Sequence, residues 1–138
     1  MPETAELVIN TGPILAIVAA FGDLEVLSLL YDRVVVPLEV SQELLVDNAT
    51  RCGAAEFQNA SSVDKLSSSV ELGDLLKNCL DSGEAAVIQT ALNDKIATVC
   101  IDEPVGRRFA RLHGLRVTGS VGILLGSAGP GLKYKVLI

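Results

Sequence analysis

The chain has 138 residues, of which 49% are hydrophobic, the size of one ordinary domain and enough apolar side chain to bury a substantial core. Aromatic residues make up 4% and Trp is absent, so the core has to be built from Val, Leu, Ile and Ala, which suits a layered β/α protein. A net charge of −6 excludes indiscriminate affinity for nucleic acid and leaves room for a local basic patch that binds phosphate. No apolar run approaches the roughly 20 residues that span a bilayer. The start, MPETAELV, is acidic where a secretory signal would be basic, and the expectation is a cytoplasmic chain with no membrane partner. Cys52, Cys79 and Cys100 show no paired C-x-x-C spacing and are expected to be reduced, mostly buried thiols.

In chain order, AELVIN reads as a first strand. Thr11 and Gly12 turn into a helix whose first position is Pro13, where a missing amide hydrogen costs nothing. GDLEVLSLLYD carries helical apolar spacing at Leu24, Val26, Leu27, Leu29 and Leu30. RVVVP is a short strand, and Pro37 opens the helix PLEVSQELLVD. From Asn48 to Ser69 the pattern weakens: a helix over AAEFQNA is followed by the Ser-rich connection SSVDKLSSS, expected to be exposed and the most mobile part. VELGDLLKNCL and DSGEAAVIQTALND are two further helical patterns. KIATVCI follows as a strand buried on both faces, EPVGRRFARLHG as a helix ended by Gly114, LRVT as a last strand and GSVGILLGSAG as a short final helix. There is no repeat, heptad or linker. The order of elements predicts one domain over residues 1–138, an α/β protein with a three-layer α/β/α fold and four parallel strands in its central sheet.

In such sheets the ligand crevice lies beyond the carboxyl ends of the strands. That rule selects Asn10 after the first strand and Asp102 after TVCI. The ordered set VINTGPILAI, VVVPLEVSQEL, DSGEAAVIQTAL and IDEPVGRRFARLHGLRVTGSVGILL resembles the PIN-domain family, most of all its small prokaryotic subgroup with a GTLGVLL-like ending. The likeness runs from about residue 6 to residue 126. It implies a metal-dependent ribonuclease fold, often the toxin half of a bacterial or archaeal toxin–antitoxin pair. Three acids carry over by motif: Glu43 in SQEL, Glu84 in SGEAAVI and Asp102 in CIDEP. Family members ordinarily have Asp where this chain has Asn10, which puts its activity in question. They also continue with further helical sequence, so the chain is expected to be short of that segment; its apolar ending KYKVLI would suit a sheet edge or a homodimer.

The resemblance implies that Asn10, Glu43, Glu84 and Asp102 surround Mg²⁺ or Mn²⁺, hard cations that take oxygen ligands. It also implies RNA contacts from Arg107, Arg108, Thr11 and Ser120, the last by a hydroxyl that hydrogen-bonds a metal-bound water. Simpler readings stand beside these. Asp81 and Glu84 are spaced as a capping box, Glu43 reads equally as solvated helix surface, and Asp102 or Ser120 as an N-cap. Arg111 and His113 suit a helix C-terminus. Replacing Asp by Asn keeps shape and a carbonyl oxygen but removes one charge. The alternative function is a catalytically silent relative that binds RNA or an antitoxin-type partner. A nucleotide-binding α/β module is disfavoured, because no Gly-rich phosphate loop follows the first strand.

Overall fold

The computed structural model describes residues 5–46 and 53–128; the expectations placed on Cys52 and on KYKVLI lie outside them. Leu7, Val8 and Ile9 are fully buried in β1 (Glu6–Ile9), as are Val35 and Val36 in β2 (Arg33–Val36) and Val99 and Cys100 in β4 (Thr98–Cys100). Apolar runs buried on both faces are what a central parallel sheet requires. With β3 (Asp64–Lys65) and β5 (Arg116–Thr118) the strand order is β3-β2-β1-β4-β5, every pairing parallel. Among the described residues eight helices accompany the sheet and make the fold a three-layer α/β/α sandwich: α1 (Thr11–Phe21), α2 (Glu25–Leu30), α3 (Leu38–Leu45), α4 (Ala54–Asn59), α5 (Asp74–Cys79), α6 (Ser82–Asn93), α7 (Pro104–Leu112) and α8 (Ser120–Ala128).

Three expectations need correction. The sheet has five strands, because part of the Ser-rich connection forms β3. This two-residue edge strand pairs Val35 with Asp64 and is pinned by the Arg33 guanidinium, 2.7 Å from Asp64 Oδ2. It carries no apolar run, so hydrophobic patterning does not reveal it. Helix α1 begins at Thr11, with Pro13 at its third position, where the amide hydrogen is equally dispensable because first-turn amides have no acceptor within the helix. The two described thiols divide: Cys79 is exposed, whereas Cys100 is buried and its pKa is pushed up to about 12, chiefly by burial.

The chain builds outward from β1 through β2 to β3, then returns to place β4 and β5 on the other side. The strand order therefore reverses between β1 and β4, and a crevice opens at their carboxyl ends. Ile9 is in register with Cys100, and the Asn10 N–H donates to the Cys100 carbonyl at 3.1 Å.

Candidate active site

Asn10 is the N-cap of α1 in extended backbone, yet its side chain makes no capping bond. The residue is 7% exposed, and its Oδ1 has no hydrogen-bond partner among the described residues. An acceptor buried in that way costs about 1–3 kcal/mol unless something fills the gap. Two other oxygens face the same gap, which exists because Gly83, in the first turn of α6, has no side chain. A Cβ on Gly83 would lie 3.2 Å from Asn10 Oδ1, 3.6 Å from Asp81 Oδ1 and 3.7 Å from Glu43 Oε2. Glu43 comes from α3, which packs against α6. Asn10, Glu43 and Asp81 line a pocket of about 240 Å³ together with Thr11, Asp102 and Glu103.

Asp102 is fixed by the start of α8. The Ser120 N–H donates to Asp102 Oδ1 at 2.7 Å, and the Ser120 hydroxyl donates to Oδ2 at 2.9 Å. Asp102 therefore caps α8, and α7 begins without a side-chain cap. Ser120, expected to contact a metal-bound water, turns its hydroxyl to Asp102. Arg107, expected at the phosphates, donates from Nη1 to the Ile101 carbonyl at 2.8 Å, so it ties α7 to the end of β4. Gly119 permits this packing: a Cβ there would lie 2.7 Å from Asp102 Oδ1 and 2.8 Å from Arg107 Nη1. A second cleft, of about 590 Å³, is lined by Asp102, Pro104, Arg107, Arg108, Arg111 and Leu112. An acidic pocket and a basic cleft thus share Asp102. The His113 Nδ1–H donates to the Phe109 carbonyl, 2.7 Å away, at the end of α7.

Glu84 behaves differently from the other acids. It does not line the pocket. Its carboxyl is buried, with Oε2 in the space that a side chain on Gly106 would fill and without a hydrogen-bond partner among the described residues. Its pKa is raised from 4.5 to about 8, first by burial, then by the side-chain hydrogen bond with Asp81 and by the charges of Asp81, Glu103 and Glu43. Glu84 therefore carries a proton at neutral pH. Half of the expected capping box forms: the Glu84 N–H donates to Asp81 Oδ1 at 2.8 Å, while the Glu84 carboxyl is buried and meets the Asp81 side chain.

Of the four residues expected around one ion, Asn10, Glu43 and Asp102 line one pocket, and Glu84 lies outside its lining. Among the described residues, no three His, Cys, Asp or Glu side chains converge closely enough to hold a metal. Asn10 contributes an amide oxygen where an Asp would contribute a carboxylate, and Glu84 Oε2 lies toward Gly106. What converges is an amide oxygen with the carboxylates of Glu43 and Asp81. Asp81 and Glu103 were absent from the sequence-derived site. Asp81 was accounted for by its cap, and Glu103 by nothing, although it directly follows Asp102 at the strand end. All the donors are hard oxygens, and Asn10 Oδ1 lacks a partner, so the set fits a divalent cation of the Mg²⁺ or Mn²⁺ type.

A parallel sheet whose strand order reverses between β1 and β4, with oxygen donors clustered beyond those strand ends, defines a doubly wound α/β protein. The family model of the PIN domain matches residues 6–135, and the chain belongs to the PIN-domain family. Its fold is accordingly a nuclease-type fold, and PIN domains generally use divalent metal ions. No curated protein matches the chain. No helix among the described residues is long and apolar enough to cross a membrane.

Proposed function

We propose that the chain is a divalent-metal-dependent ribonuclease whose activity is weakened by Asn10. The observation that carries this reading is the partnerless Asn10 Oδ1 facing Glu43 in the pocket that also holds Asp102, beside an arginine-lined cleft. Asn10, Glu43 and Asp102 would hold Mg²⁺ or Mn²⁺. When bound, the ion polarises a phosphodiester and lowers the pKa of an attacking water. The protein's own contribution is positional. Ser120 fixes both oxygens of Asp102, and Arg107 fixes the strand end that carries it. Arg108 and Arg111 are exposed in the cleft, where guanidinium groups suit RNA phosphates. Thr11, buried with its Oγ1 unpartnered, offers a hydroxyl to the same pocket.

A role as the toxin half of a toxin–antitoxin pair belongs to the same proposal and is supported by the family likeness. Val105 and Leu112, exposed on the helix that carries the arginines, suit an antitoxin-type protein partner. The test is cleavage of single-stranded RNA by the purified chain in Mn²⁺. Cleavage is expected to be slow, to stop on addition of EDTA and to be lost in Asp102→Ala. RNA binding without any metal-dependent cleavage would instead favour the catalytically silent module.

A further inference from the structure

Asp81 caps α6, hydrogen-bonds the Glu84 carboxyl and lines the acidic pocket. We infer that Asp81 supplies the carboxylate that Asn10 does not, forming with Asn10 and Glu43 the oxygen cradle of a divalent cation. The inference rests on the metal-dependent reading above and deepens it.

Three observations lead there. Asn10 is buried and its Oδ1 has no partner, although it faces the space over Gly83. Asp81 Oδ1 and Glu43 Oε2 face that same space, at nearly equal distances from the position a Gly83 Cβ would take. Capping, moreover, does not require a charge. The bond from the Glu84 N–H uses one lone pair of Asp81 Oδ1, and Ser or Asn caps a helix as well as Asp does. An ionised carboxylate has about four acceptor sites, so capping leaves capacity unused. Asp81 is exposed enough to reach a ligand, and it lines the pocket with Glu43, Asp102 and Glu103. Like charges gathered there repel unless a cation stands among them. The charge absent at Asn10 thus has a counterpart in Asp81 at the same space.

The experiment is calorimetric titration of Mn²⁺ into the whole chain and three variants. Asp81→Asn keeps the shape and the cap and removes the charge, together with its part in keeping Glu84 protonated; its Mn²⁺ affinity, measured in a Glu84→Gln background so that Glu84 cannot ionise in compensation, is expected to fall by about tenfold or more. Asn10→Asp is expected to bind more tightly than the unaltered chain. The double variant, Asn10→Asp with Asp81→Asn, moves the charge across the pocket and is expected to return close to the unaltered affinity. Thermal unfolding in EDTA checks that each variant is folded, and Asp81→Ser, also a good cap, replaces Asp81→Asn if the latter is not. Unchanged affinity in Asp81→Asn overturns the inference and leaves the metal reading standing. So does a double variant no tighter than Asp81→Asn alone. An unaltered chain that takes up no Mn²⁺ overturns the metal reading and the inference with it.

Discussion

Asn10 and Glu84 both remove negative charge from one neighbourhood, by different means. Asn10 never carries it, and Glu84 keeps its proton because burial and the nearby Asp81, Glu103 and Glu43 oppose ionisation. The second effect predicts a pH dependence. With a pKa of 4.5 unfolded and about 8 folded, the folded chain holds a proton that the unfolded chain releases within that window. The contribution of Glu84 to stability is therefore fully present below pH 4.5, declines as pH rises and levels off above pH 8. In Glu84→Gln, which cannot ionise, the melting temperature measured in EDTA is expected to fall less steeply from about pH 5 to about pH 9. An identical slope in both proteins would contradict the assignment. At this scale the sequence is informative where chemistry is local to a strand end: Asn10 and Asp102 follow from that rule alone. Glu84 is not legible in the same way. Its environment is made by Gly106, a residue remote in sequence whose missing side chain gives no pattern. Asp81 is obscured for the opposite reason, since its nearby capping bond already accounts for an Asp at that position.

Among the elements, the short helix starts do most to position the site. Gly119 lets α8 begin against Asp102 and Arg107, and any side chain there would enter the space of both. Gly119→Ala is expected to cost about 1–3 kcal/mol of stability by overpacking. It should also lower RNA cleavage by about tenfold or more, because Asp102 loses its fixed position. Urea unfolding and a cleavage assay separate the two effects, and full activity in the variant would show that Asp102 does not need this packing. The long buried strands and the longer helices were legible from apolar spacing, because burial on both faces of β1 or along α6 imposes a pattern on many residues. Strand β3 was not, because it owes its place to register and to Arg33 rather than to apolar side chains. Helix α1 was found but entered two residues late, since Pro is tolerated throughout a first turn.

The whole molecule carries net charge −6, yet it opens an arginine-lined cleft beside its acidic pocket. RNA binding confined to that cleft should weaken with salt, and each arginine that meets a phosphate should contribute about 0.7 to the slope of log affinity against log salt. Replacing Arg108 and Arg111 together by Ala is expected to flatten that slope by about 1.4; an unchanged slope would place the RNA elsewhere. The proposed nuclease site is metal-dependent and weakened at one position, Asn10. The most direct measurement is Mn²⁺-dependent cleavage of single-stranded RNA by Asn10→Asp beside the unaltered chain. Restoring one carboxylate should raise the rate about tenfold or more, a gain of about 1.4 kcal/mol or more in the transition state, and the gain should vanish when Asp102→Ala is added. Background cleavage in both proteins, with no gain from the restored carboxylate, would contradict the account.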